Sequence, residues 1–448
     1  MKRLFGTDGI RGVANKELTP QLAFQLGRAA CIVLGGTDKA PVFVIGKDTR
    51  LSCPMLETAI ASGIMSMGGN VISIGVIPTP AVAALTRYYQ ADAGVVISAS
   101  HNPYYDNGIK FFNASGLKLA DEIEDEIQTV LLSNPTFDNI THEKIGTLRN
   151  IRNAGDLYIA FLKESLPGID LRGKKIVLDC ANGSTYLIAP ELFTKLGAEI
   201  KVIACKPSGM NINDNCGSTH IEVLQSEVLK EKADFGLAFD GDGDRLIAVD
   251  ENGREINGDA IMYLCAKYLH RMKKLRHNTL VVTVMSNIGL KLALQSEGID
   301  IVETQVGDRY ILQKMMENNF NLGGEQSGHI IYSDINTTGD GLITSMLLAS
   351  IIASDTKAFS EHLTGLLVYP QILVNVRVEP EKKLLYQNNT LVEEAVRELS
   401  KKYQGEGRIL LRHSGTEPLV RIMIEGKNQE AIQKDANTLA ELIAKISK

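Results

Sequence analysis

The sequence lacks an excess of basic residues, a paired cysteine motif and any apolar stretch long enough to cross a bilayer. Lys and Arg number 47 against 53 Asp and Glu, a net charge of −6, so there is no general field for holding nucleic acid or an anionic membrane. Any anion site must therefore be local. The six cysteines, Cys31, Cys53, Cys180, Cys205, Cys216 and Cys265, are scattered without a C-x-x-C pair. A chain this long needs no disulfide staples, and they are expected as free thiols in a reducing cytoplasm. The longest uncharged run, Thr58 to Thr86, is broken by Gly63, Gly68, Gly69, Asn70, Gly75, Pro78 and Pro80 and reads as helix, turn, strand. Lys2 and Arg3 can open an export signal, but Gly6, Thr7 and Asp8 arrive before an apolar core forms, so none is expected.

What is present is ordinary for a globular protein: 44% apolar and 22% charged residues. The 448 residues suggest about three domains, possibly four. Short apolar runs that empty into polar loops before helical periodicity recur at Pro41 to Ile45, Lys175 to Asp179 and Leu280 to Val284. That rhythm predicts an α/β chain of three related mixed α/β domains. The last segment alternates Ile372, Val374, Val376 and Val378, then continues through a helix-like Leu391 to Tyr403, two strands and a terminal helix, which predicts a smaller α+β domain. Expected domains are 1–150, 151–252, 253–369 and 370–448. In α/β modules ligands sit beyond the carboxyl ends of strands, so the functional residues are expected on the loops there.

Ser98-Ala99-Ser100-His101-Asn102-Pro103 follows a buried run and precedes Lys110 on the returning strand, a set able to bind or transfer phosphate. A plain Ser-Asn-Pro turn would look the same. A Ser-His-Asp hydrolase fits less well, because chain neighbours such as Ser100 and His101 rarely bring ring to hydroxyl and the G-x-S-x-G elbow is missing. Asp240-Gly241-Asp242-Gly243-Asp244-Arg245 follows the apolar Phe235 to Phe239 and presents three hard-oxygen donors on a loop free of side-chain obstruction, suited to magnesium or manganese. An EF-hand shares its Asp spacing and Glu251 at position twelve, but Arg245 stands where that loop needs Gly. Gly324-Glu325-Gln326-Ser327-Gly328-His329 offers donors and acceptors for sugar hydroxyls, or a tight turn. Arg412-His413-Ser414-Gly415-Thr416, with Arg421 on the next strand, is a phosphate cradle or a solvated loop between strands. Phe5 to Gly12 is a glycine-spaced loop carrying Arg11.

Taken together and in order, these segments resemble the signature loops of the α-D-phosphohexomutase superfamily. Gly46 to Arg50, Asn215 to His220 and Val306-Gly307-Asp308-Arg309-Tyr310 are similar to its bacterial amino-sugar branch. The resemblance implies three α/β domains of common topology and a smaller fourth, arranged about a central cleft. It implies interconversion of glucosamine 6-phosphate and glucosamine 1-phosphate through a phosphoserine at Ser100 and a 1,6-bisphosphate, toward UDP-N-acetylglucosamine. It implies one Mg²⁺ held by Asp240, Asp242, Asp244 and the phosphate on Ser100. Arg11 and Arg245 would steady the phosphoryl, and Lys110 and His329 would move protons or stabilise charge. Glu325 and Ser327 would read the sugar, while Arg412, Ser414, Gly415, Thr416 and Arg421 would hold the other phosphate. The partner implied is a small phosphosugar, with neither nucleic acid nor membrane, for a cytoplasmic monomer or homodimer. A glucose or mannose phosphate mutase of the same chemistry is the nearest alternative, and a non-catalytic phosphosugar or metal-binding regulator the next.

Overall fold

A computed structural model describes residues 3–6, 8–35, 39–133, 140–379, 382, 385–386, 389–413 and 418–447. Among them the chain forms two compact units. One comprises Met1–Met285 with Ile299–Thr364, the other Ser286–Gly298 with Gly365–Lys448.

The first unit holds three sheets. The first runs Ile10–Val13, Asp106–Asn113, Ala93–Ile97, Val42–Lys47, Asn70–Val76, Leu148–Asn150; the second Glu255–Ile256, Leu246–Asp250, Phe235–Phe239, Lys175–Asp179, Glu199–Ile203. The third runs Asp300–Thr304, Thr279–Thr283, Leu322–Gly324, Ile330–Tyr332. Stripped to four strands, each has one plan: the first strand lies parallel between the second and third, and the fourth pairs antiparallel with the third. The expected relationship among the three modules is thus visible as topology, although little residue identity carries it.

The central strands Ala93–Ile97, Phe235–Phe239 and Thr279–Thr283 are buried at every position, as strands covered on both faces of a sheet require. Helices start where capping chemistry allows. Thr19 Oγ1 accepts from Leu22 N ahead of Pro20, and Asn257 caps Gly258–Arg271. Asp340 takes the amides of Leu342 and Ile343 at the head of Gly341–Ala353, an apolar helix buried almost all round. Helices Pro20–Leu34 and Cys53–Ser66 cross at two glycines, where a Cβ on Gly27 would stand 2.4 Å from Ile60 O and one on Gly63 2.1 Å from Phe24 O.

The second sheet ends in a hairpin at Asn252-Gly253, so Glu255–Ile256 still belongs to it, a few residues past the expected boundary near 252. The helix Ile288–Ser296 falls in the C-terminal unit. Ile288 N donates to Glu425 Oε2 at 3.2 Å and Asn287 Nδ2 to Tyr369 O at 2.9 Å. That unit is otherwise a three-stranded antiparallel sheet, Gln371–Arg377, Leu419–Gly426, Gly407–His413, covered by Thr390–Lys402 and Gln429–Ile446. Val420, Ile422 and Ile424 meet Ile432, Leu439 and Ile443 in its core, each worth about 2 kcal/mol of transfer energy. No described helix is long and apolar enough to cross a membrane.

Candidate active site

The repeated plan decides where chemistry gathers in the first unit. In each sheet the loop between third and fourth strands is a hairpin connection: 98–105 in the first, 240–245 in the second, 325–329 in the third. These three loops bring the serine, the carboxylates and the imidazole together.

Ser100 is buried and sits in the left-handed region with φ of 51°, a conformation that costs a non-glycine residue about 1 kcal/mol and that surrounding bonds must hold. Its amide donates to Ser98 Oγ at 3.0 Å. Its carbonyl accepts from Arg50 Nη2 and Asn213 Nδ2, both at 2.8 Å, and Arg50 is itself buried and ion-paired to Asp48 at 2.8 Å. So fixed, the hydroxyl donates to Asp240 Oδ2 at 2.6 Å. One expectation needs correcting: His101 Nδ1 does lie 3.3 Å from Ser100 Oγ, because the left-handed turn folds the next side chain back. That ring is a poor base nonetheless. Burial, then Arg245 and Arg11, push it down to about 4.

Asp240, Asp242 and Asp244 are all buried, with carboxylate oxygens within 4.8 Å of one another. Glycine permits this closeness at 241, where a Cβ would come within 2.6 Å of Ser100 O. Burial and then the charges of Asp244 and Asp242 hold Asp240 well above the usual carboxylate range. Asp242 Oδ2 accepts from Thr79 Oγ1 at 2.8 Å and Lys110 Nζ at 3.1 Å. On Asp244 burial favours the acid, but His329, Lys110 and Arg245 together overcome it and lower the pKa. Asp242 Oδ1 and Asp244 Oδ1 are buried without a hydrogen-bond partner. Two orphaned hard oxygens beside a third carboxylate and a serine hydroxyl fit a divalent cation. Glu251, the EF-hand's twelfth position, lies beyond the far end of Leu246–Asp250 and accepts from Ser360.

His329 is buried with Nδ1 3.5 Å from Asp244 Oδ2 and Nε2 3.5 Å from Asp308 Oδ2. Burial alone would lower its pKa; the two carboxylates win and raise it. Gly339 N–H reaches Nε2 at 3.2 Å, so the neutral ring carries its proton on Nδ1, toward Asp244. Lys110 stays charged, because Asp242 and Asp8 outweigh its burial. Arg11 pairs with Asp8, and Arg245 stands 3.9 Å from Asp244 with its buried Nε unpartnered. Glu325 accepts from Gly307 N at 3.2 Å, and the exposed Ser327 hydroxyl lies 3.5 Å from its other oxygen.

In the C-terminal unit, Arg412 and Arg421 stand directly opposite each other across antiparallel strands. Burial and then Arg421 lower the pKa of Arg412. Like charges so placed repel, and an anion between them would relieve the cost. Ser414, Gly415 and Thr416 lie outside the described residues.

Several residues of this network carry no obvious signal in the chain. Thr79, Asn213 and Lys118 sit in unremarkable sequence. Asp308 and Arg50 lie in segments that carried the resemblance, and Asp8 in the N-terminal loop read for its arginine. Lys118 bridges Asp8 at 2.8 Å and Asp308, joining first and third modules. Replacing it with methionine leaves two part-buried carboxylates facing each other. The expected cost is about 3 kcal/mol, read as a lower urea midpoint at unchanged slope.

Profiles of the phosphoglucomutase/phosphomannomutase domains match in order: domain I over residues 2–136, II over 156–253, III over 257–368 and the C-terminal domain over 373–442. The chain is 52% identical to the phosphoglucosamine mutase of Caldicellulosiruptor bescii over 99% of both chains, and 51% identical to that of Clostridium tetani over 100% of both. The chain belongs to the phosphoglucosamine mutase family. It is therefore an enzyme of the mutase class. The family's fold is found in a phosphoglucomutase/phosphomannomutase family protein from Burkholderia thailandensis, with a TM-score of 0.80 at 24% identity, covering 98% of this chain and 97% of that one. It is also found in the N-acetylphosphoglucosamine mutase of Aspergillus fumigatus, crystallised with GlcNAc-6P and magnesium, with a TM-score of 0.68 at 17% identity, covering 99% and 96%.

Proposed function

We propose that this chain interconverts glucosamine 6-phosphate and glucosamine 1-phosphate, with Ser100 as the phosphoryl carrier. The observation that carries the reading is the 2.6 Å hydrogen bond between Ser100 Oγ and Asp240, inside the three-aspartate cluster and on a backbone strained to hold it there. A binding protein has no use for a strained, buried hydroxyl among carboxylates.

In this reading Ser100 carries a phosphate at rest. The sugar's free hydroxyl attacks that phosphorus, the bond to Ser100 Oγ breaks, and glucosamine 1,6-bisphosphate results. After the intermediate turns over, Ser100 Oγ attacks its other phosphate, and the sugar oxygen leaves with a proton. Asp240, Asp242 and Asp244 would hold Mg²⁺, which when bound neutralises phosphate charge and so lowers the barrier to transfer. His329, which Asp244 and Asp308 orient, is the group placed to take and return the hydroxyl proton, and the charged Lys110 stabilises the negative charge of the phosphoryl. Arg245 and Arg11 steady the phosphoryl oxygens. Glu325 and Ser327 read the sugar, and Arg412 and Arg421, with Ser414, Gly415 and Thr416, grip the phosphate that is not reacting. We place the enzyme in the cytoplasm, as a monomer or homodimer.

The test is a panel of glucosamine, glucose and mannose 1-phosphates at matched concentration, with chelator and then Mg²⁺ added back. Glucosamine 1-phosphate should have the highest kcat/KM, and activity should vanish with chelator and return with the ion. Faster turnover of glucose 1-phosphate would move the chain to the alternative mutase reading.

A further inference from the structure

One buried polar cluster lies outside the site described so far and joins all three modules of the first unit. Tyr158, on the helix Ala154–Ser165, donates its hydroxyl proton to Asp340 Oδ2. Asn336 Nδ2 donates to the same oxygen at 3.0 Å and to Pro80 O at 3.1 Å, and Arg87 Nη2 donates to Asn336 Oδ1 at 2.8 Å. Tyr158, Asn336 and Asp340 are all buried. Burial and then Asp340 keep the Tyr158 phenol well above its usual range, so the hydroxyl remains a donor. Pro80 and Arg87 belong to the helix Thr79–Tyr88, whose first residue already holds Asp242 through Thr79 Oγ1.

The cluster reaches the active site through the backbone of residues 336–341. Side chains bond outward: Asn336 and Asp340 as above, and Thr337 Oγ1 to Gly116 O. Amides bond inward. Gly339 N donates to His329 Nε2 at 3.2 Å, Asp340 N to Ile330 O at 3.2 Å, and Gly341 N to Gly243 O at 3.0 Å. The approach leaves no room for side chains: a Cβ on Gly339 would stand 2.5 Å from His329 Nε2, and one on Gly341 2.6 Å from Arg245 O. One short segment thus carries the hydrogen-bond donor of the imidazole and a support for the aspartate loop.

We propose that Tyr158, Asn336 and Asp340 are positioning residues, which act through Gly339 and Gly341 to set the His329 ring and the aspartate loop, a role that rests on the mutase reading. The N–H at Nε2 fixes which nitrogen of the neutral ring carries the proton and the plane in which the ring lies. If the segment relaxes by a fraction of an ångström, that donor leaves Nε2 and the ring turns between Asp244 and Asp308. The sugar and the phosphate that is not reacting are gripped by other groups. Loosening the cluster therefore costs transition-state stabilisation and spares ground-state binding, which lowers kcat and leaves KM in place.

Tyr158→Phe deletes one donor and keeps the ring. We expect its kcat for glucosamine 1-phosphate to be about tenfold below the parent's, with KM within about twofold. Tyr403→Phe is the control for lost stability: it gives up a like bond from a phenol to a carboxylate, Tyr403 OH to Asp435 Oδ2 at 2.6 Å in the C-terminal unit, and should keep the parent's kcat. In protein carrying ¹⁵N-labelled histidine and no substrate, the ring signals of His329 are identified by their absence from His329→Gln. They should move in Tyr158→Phe and stay in Tyr403→Phe. Should Tyr158→Phe fold poorly, Asn336→Ser is read in the same way. An unchanged kcat in Tyr158→Phe overturns the proposal, as do unmoved His329 signals or an equal loss of kcat in Tyr403→Phe. The ring signals need no turnover, so a parent inactive on the sugar phosphates whose ring still responds to Tyr158→Phe would refute the mutase reading and support the positioning.

Discussion

A Ser100→Ala variant will fold with the stability of the parent, show no phosphoryl adduct in its intact mass, and lose about four orders of magnitude or more in kcat. The size follows from the reaction. Phosphate monoesters cleave so slowly unaided that a site deprived of its carrier has no second route of comparable rate. The near-neutral stability follows from the fold. What holds residue 100 at a φ of 51° is its amide and carbonyl bonded to Ser98, Arg50 and Asn213, and alanine keeps both groups. The side chain surrenders one hydrogen bond, worth about 1 kcal/mol, to a carboxylate that its neighbours already favour protonating. A variant that still carries phosphate, or that retains a tenth of the parent's turnover, would remove the hydroxyl from the mechanism.

Asp240→Asn will move stability and activity in opposite directions. Without metal, three buried carboxylates within 4.8 Å repel one another, and the amide removes one of those charges while still offering an oxygen to Arg245 N. In chelator the variant's Tm should therefore equal or exceed that of the parent. Mg²⁺ should raise the parent's Tm by several degrees and the variant's by much less, since only the folded parent has the full set of ligands. Activity at saturating Mg²⁺ should fall about a thousandfold. The thermal shift is measured with no substrate present, so it tests the cation site apart from catalysis. Equal Mg²⁺-dependent shifts in the two proteins would exclude Asp240 as a ligand.

How far the chain could be read depended on whether a group's partners were near in sequence. The alternation of Asp and Gly from 240 to 244, closing a fully buried strand, is local and legible, as is Ser100 before Asn102-Pro103. The partners that make them work are not. Asn213 and Arg50 meet at the Ser100 carbonyl from 113 and 50 residues away, and Thr79 reaches Asp242 across 163. Asp308 lies in a segment that carried the resemblance, yet nothing local says that it faces His329 and Lys118. The approach of His101 to Ser100 is hidden in the chain for a related reason. Neighbours in an extended chain point apart, but a left-handed residue turns them together, and φ at 100 is set by bonds from elsewhere.

The common plan of the three sheets makes the reactive centre a tripod, each foot a hairpin of the same kind. Such a support transmits error without regard to its origin. A shift of a few tenths of an ångström in any one hairpin moves the serine, carboxylates and imidazole relative to one another. Heat-sensitive lesions in this protein should accordingly gather in the third and fourth strands of the sheets, while the outward helix faces, which carry no foot, drift freely.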